Sequence, residues 1–112
     1  MKKFLVLYKA PVEEFAKAMA SSTPAQMEAS MAEWGVWMGK HMDSFVDGGG
    51  PLGKTKQVLP TEVTDIRNDL GGYSIVQAES HDAAAKMMMD SPHFKTMGKA
   101  TVEVMEIMEM PT

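Results

Sequence analysis

Asp47-Gly48-Gly49-Gly50-Pro51-Leu52-Gly53-Lys54-Thr55 packs four glycines and one proline into nine residues. Glycine is used where the backbone needs a positive φ or must approach another group closely, and proline removes a donor. No regular helix or uninterrupted strand survives that composition. The stretch therefore divides the chain. Before it lies one strand and one main helix; after it come strands and a second helix.

Working back from the glycines, Asp43 to Asp47 enters a strand carrying Phe45 and Val46. The helix before it starts at Thr23-Pro24-Ala25-Gln26, with Thr23 as N-cap, Pro24 in the first turn and Gln26 completing a capping box. It runs to about Met42. Met27, Met31, Trp34 and Met38 share a stripe that is expected to face the core, with Trp37 off the stripe beside His41, at an interface. Glu13 to Ala20 reads as a short extra helix. Lys3 to Lys9 reads as a strand, with Phe4, Val6 and Tyr8 on one face and Leu5 and Leu7 on the other.

Working forward, Thr55 to Leu59 continues as strand, with Gly48 to Gly53 as a bulge or wide turn between the two pieces, and Pro60 stops it. Thr61 to Gly72 reads mostly as loop. Tyr73 to Glu79 is a central strand, with Tyr73, Ile75 and Gln77 opposite Ser74, Val76 and Ala78. Ser80 caps a second helix over Ala83 to Met89, which Pro92 ends. Thr101 to Met110 is the last strand, with Pro111 as its stop.

Strand–helix–strand–strand–helix–strand is an α+β, ferredoxin-like βαββαβ order: an antiparallel sheet with both helices on one face, in one domain over residues 1–112. The strands are apolar on both faces. A sheet so built wants a second sheet, so a homodimer packed through the sheet faces, a dimeric α+β barrel, is expected.

The 112 residues carry a net charge of −4, which disfavours nucleic acid and anionic membrane surfaces. With no cysteine there is no disulfide and no thiolate chemistry. Phe4 to Tyr8 is too short an apolar run for a leader or a membrane span, so a cytoplasmic protein is expected. The 13 methionines suit an adaptable core or interface. His41, His81 and His93 lack metal-ligand spacing, so neither metal nor other cofactor is expected.

Four pieces resemble the YCII-related family, including its DGPF-type members: Lys3 to Tyr8, Asp47 to Leu52, Gly72 to Ile75, and Val102 to Ile107. The resemblance implies a dimeric α+β barrel, a superfamily that includes cofactor-free isomerases and oxygenases and also haem-binding members, which makes haem binding a third, weaker option. It also implies a His on the first helix and an Asp before the proline that ends the second. At those places this chain carries Glu33-Trp34 and Ser91, with Asp90 one residue earlier.

The letters Gly48-x-x-x-x-Gly53-Lys54-Thr55 match a phosphate-binding loop, which works only when a helix follows. Strand-like Lys56 to Leu59 follows instead, so no nucleotide site is expected. His93, at the end of the second helix, is a proton-handling candidate, with Asp90 as a partner. Asp47 is a second candidate, although an Asx-turn over the glycines is its plainer role. Trp34, Trp37, Gly49 and Pro51 are candidate walls of a pocket between sheet and glycine loop. Two functions follow: a cofactor-free enzyme acting on a small organic molecule, or a homodimeric module that binds a small ligand or a partner without chemistry.

Overall fold

The computed structural model describes residues 1–110. Strand β1 (Lys2–Lys9) leads into α1 (Val12–Ser21) and α2 (Pro24–Lys40), and a 3₁₀ turn then enters β2 (Phe45–Pro51). A hairpin of β3 (Thr55–Leu59) and β4 (Glu62–Ile66) precedes β5 (Leu70–Ala78). Next come α3 (His81–Met87), a 3₁₀ turn, α4 (His93–Thr96) and β6 (Thr101–Glu106). The main sheet is antiparallel in the order β2-β5-β1-β6. With the hairpin set aside, this is the expected ferredoxin-like arrangement.

Local signals account for the ends of elements. Thr23 Oγ1 accepts from Gln26 N at 3.2 Å while Gln26 Oε1 accepts from Thr23 N at 2.9 Å, so the capping box forms in full. Ser80 Oγ accepts from Ala83 N at 3.1 Å and opens α3. β6 stops at Glu106, short of the expected Met110. β1 begins at Lys2, so after Ile107 donates to the Lys3 carbonyl no partner strand is left. Pro111 lies outside the described residues.

The faces alternate as the sequence requires. Phe4, Val6 and Val76 are fully buried under the helices, with Tyr8, Trp37, Ala84 and Met88 around them. Each such side chain contributes about 1.5–3 kcal/mol. On the other face Leu5 sits between Ile75 and Met105, and Leu7 between Tyr73 and Glu103. Leu5, Leu7, Tyr73 and Ile75 on that face are half-buried, and none of the described core residues lies on it. The radius of gyration is 15.6 Å, against about 13 Å for a compact chain of about this length.

Four expectations are corrected. Thr55–Leu59 does not continue the main sheet, and Thr61 to Gly72 is not mostly loop. β3 pairs with β4 alone, from Thr55↔Ile66 to Leu59↔Glu62, across a Pro60-Thr61 turn. On α2, Met27 and Met31 are 58% and 75% exposed whereas Trp37, the residue off the stripe, is 4% exposed. Only the C-terminal half of α2 lies over the sheet, and there the face centred on Trp37 points inward. His93 does not end the second helix but opens α4.

Candidate functional site

The glycine corner is a bulge inside β2. Its pairing with β5 shifts between Phe45 and Asp47 and again between Asp47 and Gly50. Gly49 has φ +71°, and a Cβ there would lie 1.8 Å from the Tyr73 carbonyl oxygen. Asp47 Oδ1 accepts from Gly49 N at 2.8 Å, the Asx-turn that steadies the bulge. The bulge also aims the Gly48 carbonyl at Ser74, whose hydroxyl donates to it at 2.9 Å.

Under the helices an aromatic chain runs from the sheet to α2. Tyr8 meets His93 and Trp34 edge-on at 5.7 and 5.0 Å, Trp34 meets Trp37 at 5.8 Å, and Trp37 meets His41 and Phe45 at 5.4 Å each. Trp37 Nε1 donates to Asp90 Oδ1 at 2.9 Å. His41 Nε2 stands 4.0 Å from the same oxygen, so Asp90 partners Trp37 and His41 rather than His93. His93 is 4% exposed. Its Nε2–H donates to the Lys9 carbonyl at 2.8 Å, which leaves the lone pair of the neutral ring on Nδ1.

A groove of about 500 Å³ lies between α2 and residues 89–95. Trp37, Val36 and Phe94 form apolar walls; Asp90, Ser91, Lys40 and Lys95 are among its polar lining. Ser91 is 1% exposed, and its Oγ is the one fully buried side-chain polar atom without a partner among the described residues. Neither Lys40 nor Lys95 is in an ion pair among those residues. A smaller hollow of about 250 Å³ is bordered by His81, Met88, Phe94 and Val104. Neither hollow takes in Gly49 or Pro51.

The sequence-derived candidates thus separate into two places. Trp34, Trp37 and His93 lie together on the helix face. Asp47 is paired with Ile75 on the opposite face, and Gly49 and Pro51 belong to the bulged edge strand. Sequence reading placed a serine at Ser91 without giving it a role. Its position just before Pro92, where the backbone turns from one helix to the next, was the available signal. No cluster of three or more His, Asp or Glu side chains able to hold a metal ion occurs among the described residues. No helix there is long and apolar enough to cross a membrane.

No family model and no curated protein sequence matches the chain. A solved structure does. The chain is similar to 5-chloro-2-hydroxyhydroquinone dehydrochlorinase from Burkholderia phenoliruptrix AC1100, solved in complex with 2,5-dihydroxybenzoquinone. The TM-score is 0.50 at 17% identity, over 92% of this chain and 91% of that one. At that identity the likeness concerns the fold. It agrees with the α+β, ferredoxin-like protomer built above from the strands.

Proposed function

We propose that the chain is a cytoplasmic, YCII-related homodimer that binds a small, flat organic molecule in the groove between α2 and residues 89–95. The observation that carries this reading is Ser91. A buried hydroxyl without a partner costs about 1–3 kcal/mol, and Ser91 is one of the residues lining a groove walled by a tryptophan. Apolar walls with a few placed polar groups are the make-up of a ligand site. The homodimer rests on the uncovered face around Leu5 and Ile75 and on the motifs shared with the family.

The binding reading is preferred to the catalytic one because His93 and Asp47, the proton-handling candidates, lie on opposite faces of the sheet. A catalytic reading keeps His93, whose Nδ1 lone pair is free to accept a proton, and makes Asp47 structural. Trp34 then backs Trp37, and Gly49 and Pro51 hold the corner that fixes Ser74 and Tyr8.

The test is a thermal-shift series with hydroxylated aromatic rings and quinones, starting from the quinone held by the dehydrochlorinase of similar fold. Wild type is expected to melt higher with a ligand of this class. Ser91→Ala should melt no lower than wild type unliganded, yet lose most of the ligand shift. Equal shifts in wild type, Ser91→Ala and Trp37→Phe would sink the groove as the site. Turnover of a bound compound by wild type but not by His93→Ala would select the catalytic reading.

A further inference from the structure

Met89 and Phe94 each line both hollows, the groove of about 500 Å³ and the smaller one of about 250 Å³. They are 76% and 44% exposed, so the partition between the two is made of surface side chains rather than packed core. Met89 is unbranched and turns freely about its side-chain bonds. Met88 beside it is 2% exposed and gives the smaller hollow a fixed wall. The other walls are Ala85 on α3 and the half-buried Val102 and Val104 on β6. His81 is the one polar side chain there, and its Nε2–H is given to the Val104 carbonyl at 2.7 Å. A neutral imidazole has no second proton to donate, so no side chain of the smaller hollow offers a free donor. The groove, by contrast, carries Ser91, Asp90, Lys40 and Lys95.

We infer that groove and hollow form one two-part site, and that its ligand is a hydroxylated ring carrying an uncharged alkyl substituent. The inference rests on the ring-binding reading given above. The ring lies against Trp37 with a polar group on Ser91, and the substituent passes Met89 to lie on Met88, Val102 and Val104. Size separates the two roles. Whole ligand sites run to about 300–1,000 Å³, a range that takes in the groove and leaves out the hollow. An apolar cavity of about 150 Å³ nonetheless accepts a benzene-sized group, so the hollow has room for a short chain. A polar substituent meets no side-chain donor there and is disfavoured. Ala85 sets the limit on length, because it lines the hollow, does not line the groove and is exposed on its helix.

The test is calorimetric titration of wild type, Ala85→Leu and Ala85→Met with resorcinol and 4-butylresorcinol. A buried methylene is worth about a fourfold gain in affinity, so a butyl chain even half covered should bind at least about tenfold tighter than the bare ring. Leucine and methionine are good helix formers, and either fills the hollow from the α3 side. Both variants are expected to bind resorcinol as wild type does and to lose the butyl gain. Their unchanged affinity for the bare ring shows that they have folded. Equal affinity of wild type for the two compounds, or a butyl gain that survives in both variants, would overturn the two-part site and leave the ring in the groove. If wild type binds neither compound, the two-part site fails. The ring-binding reading fails with it only if every ring and quinone of the thermal-shift series is also without effect.

Discussion

The phenolic oxygen of Tyr8 lies 3.0 Å from Ser74 Oγ, and a third group sets the direction of that bond. The single Ser74 hydroxyl proton is given to the Gly48 carbonyl at 2.9 Å. Tyr8 must therefore donate to Ser74. The relay ties the core strand β1, through β5, to the bulge in β2. Ser74→Ala strands the Tyr8 hydroxyl and removes a partner from Gly48, at an expected cost of about 1–3 kcal/mol in urea unfolding. Tyr8→Phe leaves Ser74 on Gly48 and should cost about 1 kcal/mol. If Ser74→Ala proves the milder of the two, the relay is misdirected.

Burial pushes the Tyr8 hydroxyl above its ordinary pKa of 10.0. The unfolded chain therefore loses this proton first. Stability from this group is complete below pH 10 and declines as pH rises from 10 toward the higher folded-state value. Tyr8→Phe should flatten that decline in unfolding measured between pH 9 and pH 11, a range chosen to bracket the ordinary tyrosine value of about 10. An identical alkaline slope in the variant would contradict the assignment.

Gly49 and Gly50 are neighbours with opposite demands. Ala at 49 meets the Tyr73 carbonyl and a φ of +71°, whereas Ala at 50 meets nothing within 4 Å. Gly49→Ala is expected to lose roughly 2–4 kcal/mol, counting about 1–3 kcal/mol of backbone strain and the local loss of pairing. Gly50→Ala should stay within about 1 kcal/mol of wild type. Chemical denaturation of the pair decides it, and comparable losses would remove the special standing of Gly49.

Leu5 lies between Ile75 and Met105 on the face that no helix covers. Leu5→Asp would place a carboxylate on each side of the proposed two-fold contact. An unpaired buried charge costs several kcal/mol, so the dissociation constant should rise by at least about 100-fold. The separated protomer should keep its fold, because Phe4 and Val6 face the other way. Phe4→Ala, by contrast, should cost about 3–5 kcal/mol of protomer stability. A Leu5→Asp protein that associates as tightly as wild type would show that the dimer uses another surface.

What could be read from the sequence was local or strictly periodic. The Thr23–Gln26 box depends on four adjacent residues, and the alternation through Phe4–Tyr8 and Tyr73–Ala78 has the period of a pleated strand. β4 was missed because Val63 and Ile66 are thinly spread among Glu62, Thr64 and Asp65, and because Pro60 reads as a stop when it opens a two-residue turn. Trp37 was misplaced because the methionine stripe was assumed to be covered along its whole length. Met27 and Met31 lie on turns that no strand underlies. The meeting of Asp90 with Trp37, and the enclosure of Ser91, depend on how a 3₁₀ turn joins α3 to α4. No spacing in the sequence encodes that.

The placing of β1 in the interior of the sheet has a kinetic side. Residues 2–9 find their sheet partners only far along the chain, in residues 70–78 and 101–107. Until those residues are in place the segment Phe4-Leu5-Val6-Leu7-Tyr8 has no native sheet partner. Loops of that span are slow to close, which puts productive folding in the millisecond-to-second range after synthesis rather than alongside it.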